Sequence, residues 1–372
     1  MHLLVALLSL ALLALMLAEF FVVFLLPRRV KRDPAIARAL LRSLWVPWRA
    51  VGRRLPRTLA DTTLGVFGPF GLLAILAMLS VGVIVAFSGL QWGTSAHFDN
   101  HHHGNVGNDL YLSAATFFSA SVAFTPVNGL GRTMQVIEAA TGFGFLAIAI
   151  GYMPALFQAF SRRETAVSRL DPRAGSPPSA GALLEHSGLR GGWSELDDYL
   201  REWETWTAEL METHLSYPIL GWFRSQHVNQ NWLAALTTVV DACAYCIAYG
   251  PEDAVEASEL TFRVGRHALA DLAYAFSPRR LRRDPTLDRP RLTAESLATL
   301  RERLEGSGLH VDERPESRHR LEELRQGYEP YAIAISRQLA LDLPDWLGSE
   351  ETRENWDLGH HRERPRRRDP LP

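Results

Sequence analysis

Three long apolar stretches fall within the first 160 residues of this 372-residue chain, and they constrain its fold more than any other feature. Residues 3–26 are apolar apart from Ser9 and Glu19. Residues 64–90 read LGVFGPFGLLAILAMLSVGVIVAFSGL, and residues 134–160 read MQVIEAATGFGFLAIAIGYMPALFQAF. At ~1.5 Å of rise per residue, a helix of this length crosses a hydrocarbon core ~30 Å thick. The first stretch reads as an uncleaved span and not as a signal peptide. It is too long for one, no Lys or Arg precedes it, and a basic cluster follows it (Arg28, Arg29, Lys31, Arg32).

Orientation follows from the placement of Lys and Arg. Segment 27–62 is dense in both, segment 91–108 contains neither, and Arg162 and Arg163 follow the third stretch at once. The asymmetry predicts an N-terminus outside, a cytoplasmic 27–62 loop, and a cytoplasmic chain after Arg162, in a bacterial inner (plasma) membrane. The formal net charge of -2 conceals this division, because the apolar first part and the charged, Arg-rich remainder average out. In the 27–62 loop, Asp33 is an expected N-cap and Pro34 suits a first helical position. Ile36, Leu40, Leu41, Leu44 and Trp48 then share a helical face, predicting an amphipathic helix in the inner interface with Trp45 and Trp48 at headgroup level.

A fourth apolar stretch, 232–249, carries Asp241 at its centre. A central Asp costs about 2.5–3.5 kcal/mol on insertion scales. A fourth span would also carry the Arg-rich tail outside, so 232–249 is predicted to be a buried helix of a soluble domain.

Between the second and third stretches lies DLYLSAATFF, residues 109–118, which is apolar but too short to cross. Between two spans such a piece reads as re-entrant, the alternative being a surface helix in an external loop. Non-helical backbone at membrane depth survives only where protein buries it or water lines it. Span, short helix, loop, span is therefore the layout of a pore module.

At this point the sequence resembles a family. LLPRRVKR after the first stretch, DLYLSAATFF, and LGRTMQVIEAATGFGFLAIAIGYMPALFQAFSRRE are similar to the bacterial pore-loop potassium-channel-like membrane proteins, often described as the two-pore-domain potassium channel family. DPRAGSPPSA and HLSYPILGWFRSQHVNQNWLAAL extend the resemblance. It implies that 109–118 is a pore helix, that the chain forms a homotetramer around one axis, and that a monovalent cation, potassium among the candidates, passes along it. The filter region departs from the family. A potassium filter is a T-x-G-Y-G-D type run whose carbonyls replace the ion's hydration shell. Here the corresponding residues are Ser119, Ala120, Ser121, Val122, Ala123, Phe124 and Thr125, with neither glycine nor acid. Stacked carbonyls would force non-glycine residues into left-handed conformations at ~1–2 kcal/mol each.

Several other residues carry expectations. Glu138, early in the third stretch, is an intramembrane carboxylate that can support the filter-like loop through Ser119 or Ser121, or meet water or Arg132 near the interface. Glu19 is expected to pair with Arg28 or Arg29. Gly142, Gly144 and Gly151, with Pro154, can hinge the third helix or let helices pack closely, and packing is the preferred reading. The external loop holds His97, Asp99, His101, His102 and His103, a set able to bind zinc or copper. Consecutive histidines cannot all reach one ion, so a solvated loop titrating near neutrality is preferred. Cys243 and Cys246 are too few for a disulfide framework, lie inside a helical run, and are expected as free thiols.

The C-terminal half reads as helical. Ser194 and Asp197 resemble a capping box ahead of Leu196, Leu200, Trp203 and Leu210. Further helices are expected at 228–249, 254–276, 293–305 and 316–340. His214 and His227 read as core or surface residues. No phosphate-binding glycine loop, nucleophile elbow or strong metal signature is visible, so neither an enzyme nor a cofactor is expected.

The expected architecture is thus all-α: a membrane protein with three transmembrane helices, a re-entrant pore helix and loop between the second and third, and a helical cytoplasmic C-terminal domain. Its parts are a first transmembrane helix (1–26), a basic amphipathic segment (27–63) and a pore-type module (64–160). Within that module a helix (64–90), outer loop (91–108), pore helix (109–118), filter-like loop (119–132) and helix (134–160) follow in order. A linker (161–192), a cytoplasmic helical domain (193–347) and a disordered basic tail (348–372) near anionic lipid complete the chain. Two functions fit: a channel subunit, or a non-conducting relative that acts as a membrane-anchored scaffold or sensor. The partners expected are other copies of the chain, a monovalent cation and membrane lipid, with no nucleic acid.

Overall fold

The computed structural model describes residues 2–26, 35–94, 105–122, 125–226, 229–276, 290–309, 311 and 314–348. The described residues are helical, with no strand, and divide into two compact units, 1–158 and 159–372. Asp33, Pro34, His97, Asp99, His101, His102, His103, Ala123, Phe124, His227 and the tail beyond 348 lie outside the described residues.

The first unit holds α1 (His2–Phe24), α2 (Ile36–Gly52), α3 (Arg57–Gly93), α4 (Val106–Phe117) and the first part of α5 (Gly129–Ala174). Helices α1 and α3 run antiparallel in close contact. A Cβ at Gly82 would strike the Met16 side chain, one at Gly89 the Ser9 hydroxyl, and one at Gly93 would come 2.7 Å from the Ala6 nitrogen. Small residues on one helix admit the other, as is usual where apolar helices pack by contact alone. Phe20 of α1 stacks on Phe145 of α5 at 4.3 Å, and Phe24 meets Tyr152 edge-on at 4.8 Å.

Helix α2 buries Ala37, Leu41 and Trp45, an i, i+4 stripe, with Trp45 against Phe67 of α3 at 4.7 Å. The Trp48 indole donates to the Thr63 carbonyl at 2.9 Å. One local expectation needs correction, and the partners expected for Glu19, Arg28 and Arg29, lie outside the described residues. α2 begins at Ile36 after Ala35 in a left-handed conformation, so Asp33 is not its N-cap. Glu19 accepts the Ala37 amide at 2.7 Å, which supplies an acceptor to a helix start that has no side-chain cap of its own.

The second unit packs around α8 (Trp232–Tyr249), whose residues are buried almost without exception. It is surrounded by α6 (Ala180–Arg190), α7 (Trp193–Ser216), α9 (Glu252–Phe276), α11 (Ser317–Gln326) and α12 (Glu329–Leu339), with α10 (Ala294–Gly306) against α6. Val167, Leu170 and Ala174, on the last turns of α5, join this core. The stretch 161–192, read above as a linker, is therefore mostly helix. The capping box also fails: α7 starts at Trp193 behind Gly192, which places Ser194 inside the helix. The helix expected over 316–340 is two, broken at Gly327 and Tyr328. Pro330 lacks an amide and disfavours helical backbone just before it, so the second helix can only start there.

Arg163 is buried and makes four hydrogen bonds, with a further ion-pair contact to Glu164. Nε and Nη2 reach Glu164 Oε1 at 2.9 and 2.8 Å, Nη2 reaches the Phe223 carbonyl at 2.8 Å, and Nη1 reaches the Leu220 carbonyl at 3.0 Å. The last, also from Nη1, meets His214 Nε2 at 3.3 Å. His214 Nδ1 lies 2.8 Å from the Leu210 carbonyl, so Nδ1 carries the proton and Nε2 accepts. Burial, reinforced by the Arg163 charge, pushes the His214 pKa down to about 3. Cys243 and Cys246 are buried free thiols. Burial raises both, Cys246 to about 12.

Candidate functional site

Four helices are long and apolar enough to cross a membrane: His2–Phe24, Leu59–Gly93, Gly129–Ala174 and Trp232–Tyr249. The apolar window of the last is 94% buried, against 28%, 44% and 22% for the other three. These helices are compatible with a membrane protein.

Within the first unit, the chain between α3 and α5 forms α4. Its N-terminus is closed by Asn105, whose side chain accepts the Asn108 amide at 2.8 Å. Its C-terminus is closed by backbone geometry. Ser119 is left-handed (φ 54), its amide reaches the Thr116 carbonyl at 3.1 Å, and the Ala120 amide reaches the Ala115 carbonyl at 2.7 Å. This pair of bonds is a Schellman closure with Ser119 where glycine usually sits. Among the described residues of the filter-like loop, the one that is left-handed is thus spent on ending α4.

Gly142 of α5 is where that end of α4 seats. A Cβ there would collide with the Phe117 carbonyl oxygen, and Phe117 also meets Phe145 edge-on at 5.7 Å. Gly144 and Gly151 have nothing within 4 Å of a built Cβ. The three glycines therefore divide into one packing site and two open positions.

Behind α4 lies a buried polar cluster. The Gln91 amide of α3 donates to Glu138 Oε2 of α5 at 3.2 Å and to Ser113 Oγ of α4 at 3.4 Å. All three residues are fully buried, as is Asp109, one turn before Ser113 on α4. Among the described residues, Glu138 Oε1, Gln91 Oε1 and both Asp109 carboxyl oxygens have no hydrogen-bond partner. Glu138 thus ties α5 to α3, not to Ser119 or Ser121. Arg132 does not reach it either, because the Arg132 guanidinium donates to the Pro126 carbonyl at 3.0 Å and fixes the return of the loop. Buried acceptors in excess of donors disfavour an unpaired anion and make this face strongly acceptor-rich.

Ser119, Ala120, Ser121 and Thr125 are exposed and Val122 is half-buried. Among the described residues no group of three or more His, Cys, Asp or Glu side chains could hold a metal ion. Sequence reasoning found Glu138 and Gly142 but missed Gln91, Asp109 and Ser113. The four-residue spacing of Asp109 and Ser113, two polar side chains on one face of an otherwise apolar short helix, was the available signal.

No family model matches the chain, and no similar protein was found among curated proteins or solved structures.

Proposed function

We propose that the chain is a subunit of an oligomeric ion channel in a bacterial inner membrane, built on a potassium-channel-like pore module with an altered filter. α1, α3 and the apolar part of α5 are the three spans, with the N-terminus outside. α8 is a soluble core helix, and the C-terminal unit is cytoplasmic. The observation that carries the reading is α4. It is a 12-residue helix, too short to cross ~30 Å, closed at both ends and seated by a glycine on α5. One such loop per chain cannot enclose an axis, so the pore needs repeated subunits under closed symmetry, and a tetramer is proposed. Lipid covers the apolar faces of α1, α3 and α5 that subunit contacts leave free.

The absence of glycine and acid from 119–125 means that the loop cannot hold a row of dehydrated potassium ions at carbonyl sites. The channel is accordingly proposed to pass potassium and sodium at similar rates, with Phe124 as an apolar constriction that gates by dewetting. The same absence favours a second reading, a non-conducting relative that works as a membrane-anchored scaffold or sensor through its helical domain.

Reconstitution in planar bilayers under potassium/sodium bi-ionic conditions tests both. A poorly selective current, raised by Phe124→Ala, supports the first reading. A reversal potential at the potassium Nernst limit refutes the altered-filter account. Silence from verified tetramers across voltage and pH transfers the assignment to the scaffold or sensor.

A further inference from the structure

Two of the orphaned oxygens behind α4 belong to one pair of side chains. Gln91 and Glu138 already share a hydrogen bond, from the amide Nε2 to the carboxyl Oε2 at 3.2 Å. The amide also donates to Ser113 Oγ at 3.4 Å, so both of its hydrogens are used. What remains on the two groups is Gln91 Oε1 and Glu138 Oε1, both buried and both without a partner among the described residues. Two acceptors cannot satisfy each other, and a buried acceptor left bare forfeits its hydration for nothing.

One added hydrogen satisfies both. A protonated carboxyl is a donor as well as an acceptor. With a proton on Oε1, Glu138 would donate to Gln91 Oε1 while its Oε2 goes on accepting from Nε2. The planar acid and the planar amide then close into a ring of two reciprocal bonds. Other occupants fit less well. A water molecule between the two oxygens would leave a full negative charge buried without a counter-charge. At this end of the first unit the Arg132 guanidinium of α5 is turned to the Pro126 carbonyl, and His2 of α1 lies 3.3 Å from the Trp92 carbonyl. On α4, Tyr111 is exposed, and Asp109 shares no hydrogen bond with either member of the pair. A divalent cation such as calcium takes about 6–8 oxygens. Among the described residues no three acidic, His or Cys side chains gather to supply them.

We propose that Gln91 and Glu138 form a proton-binding site, an acid–amide pair in which one proton ties α3 to α5 and, through Ser113, to α4. The inference rests on the packing of the first unit and not on whether the chain conducts.

Infrared difference spectroscopy on the full chain in nanodiscs, wild type against Glu138→Gln, tests the proton. The wild type at pH 7 is expected to show the carbonyl stretch of a protonated carboxylic acid, shifted in heavy water and missing from the variant. Absence of that band from the wild type, or its survival in Glu138→Gln, overturns the proposal. The carboxamide of the variant can close the same ring without an ionisable proton, so Glu138→Gln is expected to fold as the wild type does, and its failure to fold also overturns the proposal. Unfolding in detergent between pH 6 and pH 8 adds an energetic readout. A folded chain that holds one proton more than the unfolded chain loses stability as pH rises, by up to about tenfold in the unfolding constant per pH unit. The wild type is expected to carry this slope in excess of Glu138→Gln. Equal slopes contradict the site, and stabilisation of the wild type alone by sodium, potassium or calcium would reassign it to a cation.

Discussion

Arg291 grips Asp241 with two parallel N–H donors, Nη1 lying 3.1 Å from Oδ1 and Nη2 against Oδ2, in a site where both side chains are almost fully removed from solvent. The Tyr328 hydroxyl donates to the same carboxylate. Burial opposes the Arg291 charge, but the Asp241 carboxylate outweighs it and holds the guanidinium protonated, above its ordinary value. A paired fork of this kind is tolerated in an interior because both partners are present. Asp241→Ala strands a buried cation and is expected to cost about 3–5 kcal/mol. Asp241→Leu with Arg291→Met together should recover part of that loss. Denaturant unfolding of the three chains checks this, and equal losses for the single and double variants would contradict it.

Acid should weaken the second unit through His214. Its pKa is about 3 in the folded chain against an ordinary 6.5. Between those values the unfolded chain binds a proton that the folded chain excludes. Stability is therefore full above pH 6.5 and falls as pH drops toward 3, by up to about 1.4 kcal/mol per unit. His214→Gln, which keeps a donor and an acceptor, should flatten this limb when unfolding is compared at pH 7 and pH 5.

The two thiols should be inert. Cys243 and Cys246 are fully buried and their pKa values are raised by burial, so almost no thiolate forms near neutrality. Maleimide is expected to label neither in the folded protein and both after denaturation. Rapid labelling of the native chain would disprove the packing of α8.

The three glycines of α5 should respond differently to alanine. Gly142→Ala pushes a methyl into the Phe117 carbonyl and is expected to cost about 1–3 kcal/mol, with α4 displaced. Gly144→Ala and Gly151→Ala meet nothing among the described residues and should stabilise the helix by about 0.5–1 kcal/mol unless a second copy covers them. Thermal unfolding in detergent and in nanodiscs separates these outcomes.

The long apolar runs of the first 160 residues determine by themselves where the long helices there lie, because backbone groups in an apolar run have few options but to pair within a helix. The break before α12 is equally local, since Pro330 acts on its own neighbours. The sequence also marks Asp241 as costly inside a membrane, but its counter-charge stands 50 residues away and no local pattern points to it. Tertiary structure alone brings Gln91, Ser113 and Glu138 together, because each sits on a different helix. It alone turns Ser119 into a helix closure and Gly142 into a seat for α4. The docking of residues 340–348, where the Pro344 carbonyl accepts from Arg291 Nη2 at 2.9 Å, is the least visible of these features. A side-chain pattern can announce which residues are buried, but it says nothing of where a backbone carbonyl finds its donor.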